Sequence, residues 1–307
     1  MNQRASRHSA AAVWAAIVTV WLAWGGTYLG IKWAVETIPP VLMAAGRAFV
    51  AGAVLYAWAR ARGAPRPTAR HWKSAAIAGF IMLVAGNAFL IWAERTVPSG
   101  LAALVVGASP LYFVVLDWWF FGGGKPGGAA AWGIAVGLLG LVILIGPDLT
   151  ARGATFAGII ALLVANFGWT FGGLYSRSAL LPASAPLATA MQMLAAAPVL
   201  LVASGALGEW RGFDPAQVTA RSLWSMAFLI VVGSWIGYSA FTTSMRIAPT
   251  ALASTYAFVN PVVAVVVGWA LGGEAVGPRM LLASAVVIGG VILVTFGSRL
   301  KPQPSEG

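Results

Sequence analysis

The sequence predicts an all-α polytopic membrane protein, with ten transmembrane helices arranged as two inverted five-helix repeats. Composition supports the first part of this prediction. Sixty per cent of the 307 residues are hydrophobic and only 9% are charged, whereas about a quarter of the residues in a soluble domain are charged. Apolar runs of about 20 residues, long enough to cross a ~30 Å bilayer core as a helix, recur along the chain. A duplicated segment supports the second part.

The duplicated segment begins at Arg95 and recurs at a constant offset. Residues that match at an offset of 151 are Arg95 with Arg246, Pro98 with Pro249, Ser99 with Thr250, Pro110 with Pro261, and Trp118 with Trp269. An offset of 145 pairs Trp24 with Trp169 and Lys32 with Arg177. Because Arg, Pro and Trp are uncommon in apolar runs, the matches predict one module written twice. The predicted repeats are residues 1–148 and 149–307.

Proline, glycine or charged residues separate the ten predicted spans. The spans are 13–34, 40–59, 73–93, 97–120, 129–146, 153–175, 184–205, 222–244, 249–271 and 278–297. The breaks between them are, in order, 39–40, 60–70, 94–95, 122–126, 147–148, 182, 209–214, 246 and 272–274. The first run is too long for the apolar region of a signal peptide and has no small-residue cleavage site behind it, so we expect it to remain.

The positive charges predict the orientation of the spans. With a cytoplasmic N-terminus, the inner segments carry twelve Lys and Arg residues and the outer segments carry six. Basic residues collect on cytoplasmic loops, so both termini are predicted to be cytoplasmic. The same rule accounts for the net charge of +11 without a nucleic-acid partner. Since each repeat has an odd number of spans, the two repeats must lie in opposite orientations, as in secondary transporters.

Several motifs resemble those of the EamA-type drug/metabolite transporters. They are Trp24-Gly25-Gly26-Thr27-Tyr28, Lys32, the Pro39-Pro40 turn, Arg47, and the R-x-x-P-[ST] elements at 95–99 and 246–250. The resemblance covers nearly the whole chain. It implies a ten-helix carrier of the bacterial inner membrane that exports amino acids, related metabolites or drugs. It also implies a central cavity lined mainly by helices 1, 3, 4, 6, 8 and 9.

Polar and aromatic residues at mid-depth on these helices are the candidate substrate-binding set, together with the cation of span 2. The candidates are Trp24, Tyr28, Arg47, Asn87, Trp92, Tyr112, Asn166, Trp169, Tyr238, Tyr256 and Asn260. An unsatisfied amide in the membrane is costly, so each asparagine must bond another helix, water or substrate. Aromatic walls suit apolar or cationic solutes.

Arg47 is the one charge well inside a predicted span, ~10 Å from its outer end. An uncompensated charge at such depth costs at least ~2.5 kcal/mol, so a function or a partner is expected. The functional interpretation is an anchor for a substrate carboxylate, or part of a gate. The structural interpretation is an ion pair, with Glu36 or Glu94 as the nearest anion, or a side chain that extends to the surface.

Four further residues are candidate gating or hinge positions. Pro110 and Pro261 lie near the middle of spans 4 and 9, where each frees the carbonyl four residues earlier. They are either paired hinges or static kinks. Lys32 and Glu94 lie at the outer ends of spans 1 and 3, and Glu94 is the candidate proton carrier if transport is coupled to protons.

Other classes of protein lack their required residues. The chain has no cysteine and no P-loop, and its two histidines fall in segments predicted to be cytoplasmic, so we expect no catalytic site, metal or cofactor. A membrane enzyme acting on lipid is therefore disfavoured. A sensor or scaffold is disfavoured because the predicted spans leave little chain for a soluble domain. The expected partners are a small solute and the bilayer, and the small-residue pairs give no reason to predict a dimer. The predicted function is secondary active or facilitative export of amino acids or related compounds by alternating access. The alternative is multidrug export of lipophilic or cationic compounds.

Overall fold

The structure, a computed structural model, describes residues 9–94, 106–107, 109–124, 127–145, 156–272 and 277–299. Within these residues all regular secondary structure is helical. Six stretches are long and apolar enough to cross a membrane: Ala10–Ile31, Pro40–Ala61, Phe156–Ser178, Ala185–Ala206, Ala220–Ile247 and Thr250–Leu271. The other four predicted spans each overlap a described helix. The predicted repeat boundary at residue 148 lies outside the described residues.

Thirteen α-helices form the described part of the chain. They are α1 (Ala10–Ala34), α2 (Pro40–Ala61), α3 (Ala69–Gly79), α4 (Asn87–Glu94), α5 (Ser109–Phe120), α6 (Gly128–Ile145), α7 (Phe156–Ser178), α8 (Ala185–Ala206), α9 (Ala220–Phe228), α10 (Ser239–Ile247), α11 (Thr250–Ala253), α12 (Tyr256–Gly272) and α13 (Pro278–Arg299). A π-helical segment, Phe80–Gly86, joins α3 to α4, and another, Leu229–Tyr238, joins α9 to α10.

Helix starts follow ordinary capping chemistry. Ser9 accepts a hydrogen bond from the Ala12 N–H at the start of α1, and Thr68 forms a capping box with His71 at the start of α3. Helix α2 starts after Pro39, which has no capping side chain. Its first N–H groups are instead satisfied by Glu209, a residue of the second half of the chain. The Glu209 carboxylate accepts from the N–H groups of residues 41 and 42 at 3.2 and 2.9 Å.

The two π-helical segments occupy corresponding places in the two halves. At the offset of 151, residues 80–86 correspond to 231–237, which lie inside the second segment. A π turn inserts one residue into the helical register and is frequent at functional sites. Both segments contribute to the central cavity described below, through Leu83 and Gly86 on one side and Gly233, Ser234 and Tyr238 on the other.

Helix packing repeats when the two halves are exchanged. Helix α2 packs along its counterpart α8, and α6 packs along its counterpart α13. The contact of α1 with α12 is matched by that of α7 with α5, and α1 meets the second π segment as α7 meets the first. Glycines permit the closest approaches: a Cβ at Gly79 would lie 2.3 Å from the Gln192 carbonyl oxygen. The helices of the two halves therefore meet around a common centre.

The outer surface of this bundle is apolar. Phe156, Val202 and Trp224 are 82%, 70% and 78% exposed. Exposure of such large apolar side chains is unfavourable in water but favourable in the hydrocarbon of a bilayer. Together with the long apolar helices, this surface is that of a polytopic membrane protein.

Candidate functional site

A cavity of about 220 Å³ lies where the two halves meet. It is lined by α1, α2, both π segments, α4, α5, α7, α8 and α12, with Val106 from the segment before α5. Spans 2 and 7 therefore contribute to the lining beside the six helices that the resemblance implied. Five pairs of lining residues are repeat counterparts: Trp24 with Trp169, Ala48 with Met193, Leu83 with Ser234, Asn87 with Tyr238, and Ser109 with Asn260. Equivalent residues of the two halves thus line the same cavity.

Most of the predicted substrate-binding residues line this cavity. They are Trp24, Arg47, Asn87, Asn166, Trp169, Tyr238, Tyr256 and Asn260. Tyr112 does not: its ring is partly buried and packs against the main apolar core. The side chains of Tyr28 and Trp92 lie outside the described residues, so their roles stay predictions.

The predicted gating residues are described only in part. Pro110 is buried near the start of α5, beside the cavity-lining Ser109. Pro261 lies in α12, but its side chain is outside the described residues, as are the side chains of Lys32 and Glu94. The carbonyl that Pro110 frees, that of Val106, accepts a hydrogen bond from the Ser109 hydroxyl. The single proton of this hydroxyl is shared with the Asn166 side-chain oxygen, which lies 2.6 Å away. The role of Pro110 as a hinge stays a prediction.

An aromatic cluster forms one side of the cavity. The rings of Trp24 and Trp169 meet edge to face, with centroids 5.5 Å apart, and Tyr256 lies 5.2 Å from Trp24. Hydrogen bonds hold the two indoles: Trp24 Nε1–H donates to the Gly233 carbonyl at 3.0 Å, and Trp169 Nε1–H donates to the Tyr256 hydroxyl at 2.6 Å. These bonds satisfy the polar atoms of the indoles and leave a rigid apolar surface for a ligand.

Phe241 is a part of this cluster that the sequence did not indicate. It is 2% exposed, and its ring centroid lies 5.1 Å from that of Trp24 and 5.7 Å from that of Trp169. One apolar residue among many carries no compositional signal. The repeat offset could have found it, because its counterpart at 151 is Leu90, which lines the cavity.

Arg47 is the cation of the cavity. It is partly buried on α2, and its guanidinium makes no hydrogen bond or ion pair with any residue that the structure describes. The expectation that Glu36 could be its partner is wrong, because Glu36 lies 3.7 Å from Arg221 instead. Glu94, the other candidate partner, has its side chain outside the described residues. A cation at this depth that none of the described side chains neutralises calls for an anion or water in the cavity.

Two of the three asparagines that line the cavity, Asn166 and Asn260, differ in their partners. Asn166 is 2% exposed, and its side-chain oxygen lies 2.6 Å from the Ser109 hydroxyl, so it bonds a neighbouring helix. Asn260 is 5% exposed, and its side-chain oxygen is buried without a hydrogen-bond partner among the described residues. An orphaned buried amide is costly. Of these two asparagines, Asn260 is the one that needs a ligand or water.

A polar cluster joins the two halves on the side of the bundle that is predicted to be cytoplasmic. The Thr250 hydroxyl donates to Asp117 Oδ2 at 2.6 Å and accepts from Arg177 Nη1 at 2.7 Å. Arg177 and Asp117 form an ion pair at 3.4 Å. We call Asp117, Arg177 and Thr250 the inner clasp. Asp117 lies near the end of the fourth predicted span, in the first half of the chain, whereas Arg177 and Thr250 belong to the second half. The clasp therefore links the two halves at one end of the bundle.

The cavity lining points to binding of a solute rather than of a metal ion. No three His, Cys, Asp or Glu residues come together as a metal site in the described part of the chain. The cavity combines a cation, amides and aromatic rings, which is chemistry for binding a solute.

Comparison with known proteins identifies the family. The sequence profile of the EamA-like transporter family matches residues 11–146 and 156–296. The inner membrane transporter YedA of Escherichia coli is 36% identical over 94% of this chain and 92% of its own length. A protein of Streptantibioticus cattleyicolor named "Probable terminal-alkyne amino-acid exporter" is 27% identical over 94% of this chain and 95% of its own. An Escherichia coli protein named "Probable amino-acid metabolite efflux pump" is 24% identical over 92% of this chain and 95% of its own.

A solved crystal structure has the same fold. It superposes with a TM-score of 0.79 at 22% identity, covering 95% of this chain and 99% of the other.

Proposed function

This chain belongs to the EamA-like transporter family, and we propose that it exports amino acids or closely related metabolites through its central cavity. The family and its relatives make it a multi-pass transporter of the bacterial inner membrane rather than an enzyme. Two relatives carry names that refer to amino-acid export.

The observation that carries this proposal is the Arg47 guanidinium in the cavity, which has no hydrogen bond or ion pair with the side chains that the structure describes. A carboxylate is the natural partner of a guanidinium, because it accepts two parallel N–H bonds. A solute carboxylate would also compensate a charge that the described protein residues leave uncompensated. Lipophilic cations would suit the aromatic cluster but would be repelled by Arg47. The cavity chemistry therefore favours an anionic or zwitterionic solute.

Other residues of the cavity lining suit the rest of an amino acid. Trp24, Trp169 and Tyr256 offer an apolar wall for a side chain. The amide of Asn260, whose oxygen lacks a partner, can bond a polar group of the solute. A zwitterion with an apolar side chain meets each of these requirements in one molecule.

Alternating access is the transport mechanism that we propose. The bonds of the inner clasp link the halves on the predicted cytoplasmic side. In this mechanism they close the cavity to the cytoplasm. Loading from the cytoplasm then requires this cluster to open. Both termini are placed in the cytoplasm in this scheme, following the distribution of basic residues.

Transport by reconstituted protein tests the proposal. Proteoliposomes containing the protein should exchange radiolabelled amino acids, and Arg47→Gln should lower this exchange at least tenfold, because a charge-assisted bond contributes about 1.5–3 kcal/mol. Arg279→Gln is a matched control, since Arg279 bonds the Ile143 carbonyl far from the cavity. Exchange of lipophilic cations that is indifferent to Arg47→Gln, with none of amino acids, would instead favour multidrug export.

A further inference from the structure

A second cavity, of about 640 Å³, is an apolar groove between α1, the α9 region with its π segment, and α12. It does not overlap the central cavity, and no residue lines both. Its flanks are among the most exposed apolar side chains of the protein: Leu22 is 62%, Trp224 is 78% and Leu271 is 70% exposed. The groove therefore opens on the surface that faces the hydrocarbon of the bilayer.

The groove runs along the membrane normal. Its lining on α1 extends from Thr19 to Trp33, fourteen residues apart, which is ~21 Å along a helix. That length reaches from one surface of a ~30 Å hydrocarbon core past its midplane. Gly26 and Gly30 line the groove on the side of α1 that packs against α9, and a Cβ at Gly30 would lie 3.1 Å from Phe228 Cδ1. A slot of this length and polarity fits an acyl chain.

One end of the groove carries a cation at the level of the lipid headgroups. Arg221 lies at the start of α9, on the predicted outer side, and is stacked over the Trp33 ring at 5.9 Å. Its ion pair with Glu36 is 3.7 Å long, and the two side chains are 65% and 43% exposed. Such an exposed pair contributes little. A guanidinium has five N–H donors, so it can bind a phosphate while keeping these contacts.

We propose that this groove binds a phospholipid of the leaflet on that side, with its phosphate on Arg221 and one acyl chain along α1. The charge of Arg221 favours a lipid with a phosphate headgroup, and the apolar groove favours an acyl chain. A bare groove in hydrocarbon would leave a void, which forfeits the dispersion contacts of its lining. The proposal does not depend on which solute is exported.

The bound lipid would act on the transport cavity through shared helices. Trp24 and Thr27 of α1 face the central cavity, whereas Ala23 and Gly26 face the groove. In the second π segment, Gly233 faces the cavity and Val232 faces the groove. A lipid that packs against both elements stabilises their described arrangement, so its binding should favour this conformation over others.

Lipid binding to the delipidated full chain in detergent tests the proposal, with native mass spectrometry for occupancy and thermal denaturation for stability. Palmitoyl-oleoyl phosphatidylglycerol should bind and raise the melting temperature. The matching diacylglycerol, which lacks the phosphate, and glycerol phosphate, which lacks the chains, should each bind at least tenfold more weakly. Arg221→Gln should weaken phospholipid binding about tenfold, whereas Arg211→Gln, an exposed cation on the same predicted side, should not.

A second variant tests the slot itself. Gly26→Leu fills the groove, and it should lower phospholipid occupancy while the protein still unfolds cooperatively. Wild-type occupancy in both Arg221→Gln and Gly26→Leu would overturn the proposal. Equal binding of glycerol phosphate and phospholipid would also overturn it, since the site would then be a simple anion site. A dimer that dissociates in Gly26→Leu would show that a second copy, and not a lipid, fills the groove.

Discussion

Opening of the inner clasp can be tested by substituting Thr250. Thr250→Val removes the 2.6 Å hydrogen bond to Asp117 and keeps the size and shape of the side chain. A hydrogen bond to a charged group contributes about 1.5–3 kcal/mol. The ion pair of Arg177 with Asp117, whose side chains are 37% and 13% exposed, contributes about 1 kcal/mol or less. The Thr250 hydroxyl therefore contributes most of the stability of the clasp. Its loss should raise the population of the conformation that is open to the cytoplasm roughly 10- to 100-fold.

The natural absence of cysteine makes this measurable. Ala165→Cys places one thiol in the lining of the central cavity. In everted membrane vesicles, a membrane-impermeant maleimide should label this thiol faster in the Thr250→Val background. Thr243→Val is the matched control, because Thr243 bonds the Ser239 carbonyl of its own helix. Equal labelling rates in the Thr250→Val and Thr243→Val backgrounds would refute the view that the clasp closes this side.

Two further predictions concern stability. Gly79→Ala should lower the melting temperature, because its Cβ would lie 2.3 Å from the Gln192 carbonyl oxygen and overpacking costs ~1–3 kcal/mol. Gly289→Ala, whose Cβ would meet nothing within 4 Å, should leave the melting temperature unchanged. Equal melting temperatures for these two variants would mean that α3 and α8 approach less closely than described. Glu209→Ala should destabilise the protein by ~0.5–2 kcal/mol through loss of the α2 cap, as measured by denaturation in detergent, and Glu36→Gln should have a smaller effect. A smaller loss for Glu209→Ala than for Glu36→Gln would argue against the cap.

The sequence was most informative where unusual residues recur. Trp24 and Trp169 were paired by their offset alone, and their rings are in contact. Arg47 was singled out as a charge inside an apolar run, and it lines the cavity. The sequence could locate these residues in the cavity because polar and aromatic residues are conspicuous in an apolar chain and, for the tryptophans, because duplication places counterparts around one centre.

Other features depend on helix rotation, which the sequence does not encode plainly. In a membrane bundle both the lipid-facing and the core-facing sides of a helix are apolar, so periodicity does not separate them. Tyr112 was therefore included in the candidate set although the described cavity does not include it, and Phe241 was overlooked. The π segments shift the helical register by an inserted residue, and no residue type in the sequence indicates this shift. The partner of Glu36 depends on how α9 packs against the end of α1, which is also a tertiary property.

Binding of an amino acid compared with its decarboxylated amine tests the central claim most directly. The claim is that Arg47 holds a solute carboxylate in the central cavity. A solute at 100 times its dissociation constant adds about 2.7 kcal/mol to stability, a shift that thermal denaturation of the purified protein detects. We predict stabilisation by at least one amino acid, none by its amine, and loss of the effect in Arg47→Gln but not in Arg279→Gln. Equal stabilisation by the amine, or an undiminished shift in Arg47→Gln, would contradict the claim.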